Sequence, residues 1–145
     1  MSKVILVMGL PNSGKSTISL KIVNLLNAYW LNNDAVRKEF SDWDFSLNGR
    51  IKQAKRMLSI SQEKVKLGQV VVADFVCPTK ETRRIFNPDY IVWMNTIKKS
   101  LYKDTNLMFE PPLELNVNFI VKEKNAENYS KMIVEDFNKF FKIKD

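Results

Sequence analysis

The sequence predicts an α/β protein: a doubly wound parallel sheet of about five strands with helices on both faces. Three observations carry this. The run Val4-Ile5-Leu6-Val7-Met8 is apolar without interruption, as a parallel strand covered on both sides must be. Directly after it comes Gly9-Leu10-Pro11-Asn12-Ser13-Gly14-Lys15-Ser16-Thr17, and then a helical period, Ile18, Ile22, Leu25 and Leu26. Short apolar runs and amphipathic stretches then keep alternating to the C-terminus, the order that builds crossover units.

In chain order, the first strand spans Met1 to Met8, and the helix behind the glycine loop ends near Asn27. Tyr29-Trp30-Leu31 reads as a second strand, with Asn32-Asn33-Asp34 at its carboxyl end, where open α/β sheets collect ligand groups. Two roles are open to Asp34, a ligand contact or the N-cap of a short helix from Ala35 to Phe40. An aromatic, acidic loop follows, Ser41-Asp42-Trp43-Asp44-Phe45. Ser46 is the expected N-cap of a long helix with Leu47, Ile51, Ala54, Leu58 and Val65 on one face, ended by Gly68. Arg50 and Gln53 stand one turn apart on that helix, a spacing that lets both point at one ligand.

Val70-Val71-Val72-Ala73 makes the third strand, with Asp74 at its tip in the pattern of a magnesium-binding acid. Thr79 is expected to cap a helix carrying Thr82, Arg83 and Arg84, which Pro88 interrupts. Tyr90 to Met94 is the fourth strand. Lys98 to Lys103 is read as helical, and Asp104 to Asn118, with Pro111-Pro112, as a long loop. A loop of that length inside a compact domain is functional as a rule, and in a phosphoryl-transfer enzyme it is the lid, about residues 97–118. Phe119-Ile120-Val121 is the fifth strand. Ala126, Tyr129, Ile133, Phe137, Phe140 and Phe141 lie at helical spacing and are expected to pack on the sheet.

Strand, G-x-x-x-x-G-K-[ST] and helix together specify a phosphate-binding loop. Glycine lets backbone N–H groups turn inward around phosphate oxygens, and the helix N-terminus adds its positive end. Lys15 reaches β- and γ-phosphates and Ser16 offers a hydroxyl to Mg²⁺, while Thr17 suits the α-phosphate. Residues Gly9, Pro11, Asn12, Ser13, Gly14, Lys15, Ser16 and Thr17 are therefore the expected ATP site, with ATP and Mg²⁺ as cofactors. With no histidine in the chain, any general base is a carboxylate, and His-ligated zinc is excluded.

At 145 residues and 45% hydrophobic composition, a single domain spanning 1–145 is expected. The net charge of +7 favours anionic partners, although its lysines are scattered with no compact basic run, which a plain compositional bias explains equally well. No apolar stretch reaches the roughly 18 residues of a membrane span. Met1-Ser2-Lys3 runs straight into the first strand without a signal-peptide pattern, and Cys77 has no second cysteine to pair with. The expected setting is cytoplasmic, away from membranes. Oligomeric state is left open, a homodimer included.

Several segments resemble the adenylylsulfate kinases, P-loop kinases that phosphorylate the 3′-hydroxyl of adenylyl sulfate with ATP. The family's L-D-G-D-x-V-R is similar to Leu31-Asn32-Asn33-Asp34-Ala35-Val36-Arg37. Its F-S-x-x-x-R-x-x-N resembles Phe45-Ser46 with Arg50 and Gln53, and its F-I-S-P resembles Phe75-Val76-Cys77-Pro78. Its K-G-L-Y-K looks like Lys99-Ser100-Leu101-Tyr102-Lys103, and its Y-E-x-P like Phe109-Glu110-Pro111-Pro112. The departures are Asn32 for the first acid, Gln53 for the asparagine, Asp74 for a small polar residue, and a shorter lid. Lys103-Asp104 equally matches an upstream arginine-aspartate pair of the family.

The phosphate loop and the strand-end acids make Lys15, Asp34 and Asp74 the expected catalytic residues and Ser16, Asp34 and Asp74 the expected metal ligands. The resemblance implies a P-loop kinase fold and supports Asp34 in both roles. It implies an acceptor site of Arg37, Phe45, Arg50, Gln53, Phe75, Val76, Cys77 and Lys99. Guanidinium forks suit a sulfate or phosphate group, and the Phe45 ring suits a purine. The acceptor is then a small-molecule nucleotide. A polynucleotide 5′-hydroxyl or nucleoside kinase remains a second reading, with nucleic acid as the less favoured partner. A non-catalytic nucleotide-binding switch is the third, and the polar residues gathered at strand ends argue against it.

Overall fold

The computed structural model describes Ser2 to Ile143. Met1, where the first strand was expected to begin, and Lys144 and Asp145, at the end of the expected domain, lie outside the described residues. The elements follow in the order β1 (Val4–Met8), α1 (Lys15–Leu26), β2 (Tyr29–Asn32), α2 (Asn33–Phe40), α3 (Leu47–Lys66) and β3 (Val71–Asp74). Then come α4 (Lys80–Phe86), β4 (Tyr90–Met94), α5 (Lys103–Met108), a 3₁₀ turn (Glu114–Asn116), β5 (Phe119–Val121) and α6 (Ala126–Phe140).

All strand pairings are parallel, in the order β2-β3-β1-β4-β5. Alternation along β1 explains its unbroken apolar run. Ile5 and Val7 face Ile18, Ile22, Ile133 and Phe137 of α1 and α6. Leu6 and Met8 face Ala54, Met57 and Phe86 of α3 and α4. All four strand residues are fully buried, so neither face tolerates a polar side chain. The fold is the P-loop kinase sheet that the sequence implied.

From β1 the chain goes out to β2 and returns through β3, then crosses β1 to β4 on the other side. The crevice above the carboxyl ends of these strands is the topological switch point, the ligand position of open α/β sheets. Register sharpens it. Asp74 stands opposite Val7 on one side and Asn32 on the other.

Four local expectations change. The cap of α2 is Asn32, whose Oδ1 accepts from Ala35 N at 3.0 Å, so Asp34 sits inside the first turn with its carboxylate uncommitted. The buried face of α3 is rotated from the apolar stripe: Arg50, Gln53, Ala54, Met57 and Ser61 point inward, whereas Leu47 is 46% exposed. Its first half covers the polar end of the sheet, where polar side chains find partners that leucine cannot use. Lys98 to Tyr102 is not helical, and α5 instead starts at Lys103, the last residue of the expected helix, and runs to Met108 through the stretch expected to be a loop. Ser46 and Thr79 cap α3 and α4 as expected, Thr79 through a reciprocal box with Thr82.

Candidate active site

The glycine loop is tightest at its first residue. At Gly9 (φ 154°) a Cβ would come within 2.8 Å of Met94 O and 2.9 Å of Ser13 Oγ. Gly14 (φ 100°) turns the chain into α1 without a side-chain cap, leaving the first helical amides for another partner. Thr96, just past β4, donates to Ser13 O at 2.7 Å and ties the loop to the sheet. Lys15 Nζ donates to Leu10 O at 2.8 Å. Burial pushes the Lys15 ammonium down to about 8, against the pull of Asp74 and Asp34.

A cavity of about 1000 Å³ opens in front of this loop. Pro11, Asn12, Gly14, Lys15, Ser16 and Thr17 form one wall. Asp34, Phe45, Arg50, Asp74, Phe75 and Val76 form the facing side, joined by Asn33. The rest comes from Tyr102, Lys103, Asp104 and Thr105 around the start of α5, and from Lys124 after β5. Gly9 and Ser13 stand behind the loop wall rather than on the cavity.

Asp74 is 2% exposed at the floor. Its Oδ2 accepts from Trp30 Nε1 at 2.7 Å and its Oδ1 from Asn32 Nδ2 at 3.2 Å, with Asn33 N at 3.5 Å. Burial lifts its carboxyl above the ordinary range, and these donors with the Lys15 ammonium work against the lift. Asp34 has no hydrogen bond or ion pair among the described residues and lines the same cavity. Two carboxylates and the Ser16 hydroxyl make a hard oxygen set. Among the described residues no group of three acid, His or Cys side chains forms a cage. Magnesium fits such a set, since it keeps waters and substrate phosphates among its ligands.

Arg50 is 7% exposed on α3, and among the described residues no carboxylate lies within ion-pair distance. Its Nη2 donates to Thr105 Oγ1 at 2.9 Å, its Nε is buried without a partner, and its guanidinium lies 4.9 Å from the Phe45 ring centroid. Burial lowers it to about 10. A half-satisfied buried cation on a cavity wall is an anion site in waiting.

Four residues expected at the acceptor lie elsewhere. Arg37 is 1% exposed, and its Nη1 donates to the carbonyls of Asp42 (3.0 Å) and Asp44 (3.2 Å). It also stacks 4.5 Å from the Phe45 centroid, so it holds the loop that carries Phe45. Gln53 does not share a ligand position with Arg50. It donates to Asn33 Oδ1 at 2.9 Å and accepts from Arg56 at 2.7 Å, fixing Asn33 on the cavity wall. Cys77 is 1% exposed, its thiol pushed up to about 12 by burial, and its carbonyl accepts from Arg83. Lys99 is exposed and off the cavity. Sequence reading missed Thr105 and Lys124 as cavity residues. Lys124 had a usable signal, since it follows β5 at the strand's carboxyl end; Thr105 had none.

The match to known proteins now has a geometry to stand on. A family model described as adenylylsulphate kinase covers residues 1–104, from β1 to the first residues of α5. The chain belongs to the adenylylsulphate kinase family. It is therefore a P-loop kinase, a phosphotransferase. Among solved structures, the Mycobacterium tuberculosis APS kinase CysC in complex with AMPPNP and APS is 17% identical. It aligns over 94% of this chain and 98% of its own with a TM-score of 0.78. The protein APE1195 is 21% identical, over 93% and 95% of the two chains, with a TM-score of 0.75. The shikimate kinase of Aquifex aeolicus is 18% identical, over 95% and 98%, at 0.63. At these identities the likeness is one of fold. No curated protein matches the chain. The family match ends at Asp104, so Thr105, Lys124 and α6 lie beyond it.

Proposed function

We propose that this kinase transfers the γ-phosphate of ATP to the 3′-hydroxyl of adenylyl sulfate. One observation carries the reading: buried Arg50, with no acidic partner among the described residues and stacked on Phe45, shares one cavity with the phosphate loop. An aromatic face beside an unpaired guanidinium suits a purine nucleotide bearing a second anion.

In this reading Lys15 and the amides at the start of α1 hold the β- and γ-phosphates. Asp34, its carboxylate free, orients the acceptor hydroxyl and takes its proton. Asp74, Asp34 and Ser16 would hold magnesium, which when bound neutralises charge on the phosphate oxygens. Phe75 and Val76 close the floor beside Asp74. A cytosolic setting belongs to the same reading: Cys77 is unpaired, and no helix of the described residues is long and apolar enough to cross a membrane.

The test is calorimetric titration of adenylyl sulfate into the protein with magnesium and ADP, alongside ATP turnover with adenylyl sulfate, nucleosides and 5′-hydroxyl oligonucleotides. Adenylyl sulfate should bind and be phosphorylated. Arg50→Ala should raise its KM by about 10-fold or more, the scale of a lost charge-assisted contact, with ATP affinity little changed. No heat at millimolar adenylyl sulfate, together with turnover of an oligonucleotide, would sink the reading. Nucleotide binding with no turnover of any acceptor would leave only a binding switch.

A further inference from the structure

The link between Arg50 and Thr105 joins two parts of the chain 55 residues apart, and both side chains are buried, at 7% and 6% exposure. Thr105 belongs to α5, a helix of six residues within the expected lid, and is not among the expected site residues. Its hydroxyl oxygen accepts from Arg50 Nη2, which commits that oxygen and leaves the hydroxyl proton with no acceptor among the described residues. The side chain lines the same cavity as Arg50 and Phe45.

A neutral hydroxyl is a weak counterpart for a buried guanidinium. Arg50 meets no carboxylate among the described residues, and its Nε is unpartnered. An arriving oxyanion would supply what is missing on both sides: acceptors for the remaining Arg50 donors and for the Thr105 proton. A planar fork on one side and a hydroxyl on another match the spread of oxygens on a tetrahedral anion.

We propose that Thr105 is a binding residue for the acceptor's anionic group, its hydroxyl donating to one oxygen of a sulfate or phosphate that Arg50 holds through others. This rests on the reading that the Arg50 end of the cavity takes the acceptor. It makes α5 part of the acceptor site rather than a mere cover, and it makes the site select tetrahedral oxyanions.

The experiment uses inorganic sulfate as the probe and the full chain with MgADP bound, so that the phosphate loop is already filled. The NMR signal of Arg50 Nε–H, assigned with Arg50→Lys, is followed during the titration in wild type, Thr105→Val and Thr105→Ser. Wild type should show a saturable shift, Thr105→Val a dissociation constant at least about fivefold weaker, and Thr105→Ser a value within about twofold of wild type. Equal MgADP affinity in all three reports that each is folded; should Thr105→Val not hold MgADP, Thr105→Ala takes its place. Titration of Thr105→Val identical to wild type, or an Arg50 signal indifferent to sulfate, overturns the proposal. Adenylyl sulfate turnover is measured separately. Its absence beside the expected sulfate titrations would overturn the proposed acceptor and leave the role of Thr105 standing.

Discussion

Trp30 Nε1 donates to Asp74 Oδ2 at 2.7 Å, one strand over and one pleat back from the Asn32 that stands opposite Asp74. The parallel register puts Trp30, Asn32 and Asp74 on one face of the sheet. A carboxylate at the floor of the phosphate cavity is thereby tied to the strand beside it.

Removing that donor should cost more at neutral than at acid pH. Burial raises the Asp74 carboxyl above 3.8, so the native state keeps a proton that the unfolded state releases. Stability from this group is full below the unfolded value and lost as pH rises through the native one. Trp30→Phe lifts the native value further, so urea unfolding should show a loss of about 1.5–3 kcal/mol at pH 7 and a smaller one near pH 4. Equal losses at both values would remove the hydrogen bond from the account.

Lys15 carries the opposite sign. Its native value of about 8 lies below 10.5, so the unfolded chain binds more protons between the two, and ligand-free stability should rise with pH across that window. Lys15→Met should lack the rise. Binding of MgADP should weaken above about pH 8, where the free protein has lost the ammonium. Lys15→Ala should abolish phosphoryl transfer and still unfold cooperatively.

Asp34 makes no hydrogen bond or ion pair among the described residues, so its replacement tests chemistry with little effect on the fold. Asp34→Asn should leave the melting temperature near wild type and lower turnover by at least about 100-fold, the scale of a lost general base. Silence in Asp34→Asn beside inactivity in Asp74→Asn would move the base to β3.

Arg37 should behave as a structural residue. Arg37→Met removes two hydrogen bonds to loop carbonyls and one cation from under Phe45, and should lower stability by about 2–4 kcal/mol together with acceptor affinity. A raised acceptor KM with an unchanged melting temperature would return Arg37 to the ligand.

Gly49 tests the same loop from below. A Cβ there would meet Asp44 O at 2.1 Å and Asp44 Cγ at 2.5 Å, both held by the turn that starts α3. Gly49→Ala should displace residues 42–45, and Phe45 with them, raising acceptor KM by about 10-fold or more while MgADP affinity stays near wild type.

Much of the architecture is a local property of the chain. An unbroken apolar run forces a strand covered on both faces, Gly9 and Gly14 permit the loop, and Ser46 and Thr79 start helices by accepting from amides three residues on. Sequence alone determined these, and it placed the polar residues at the carboxyl ends of strands. Tertiary structure decided which of them face the cavity. Arg37 and Arg50 both sit on buried helix faces, and nothing local separates them; carbonyls of the 42–45 loop take one, while the other is left with a single hydroxyl. Asn32 took the cap from Asp34 because its amide reaches both Ala35 N and, across the strand register, Asp74. Thr105 joins the site only because the fold brings the start of α5 within hydrogen-bond reach of Arg50 on α3. Periodicity records which side of an element is inward, whereas the partner met there depends on segments far away in the chain.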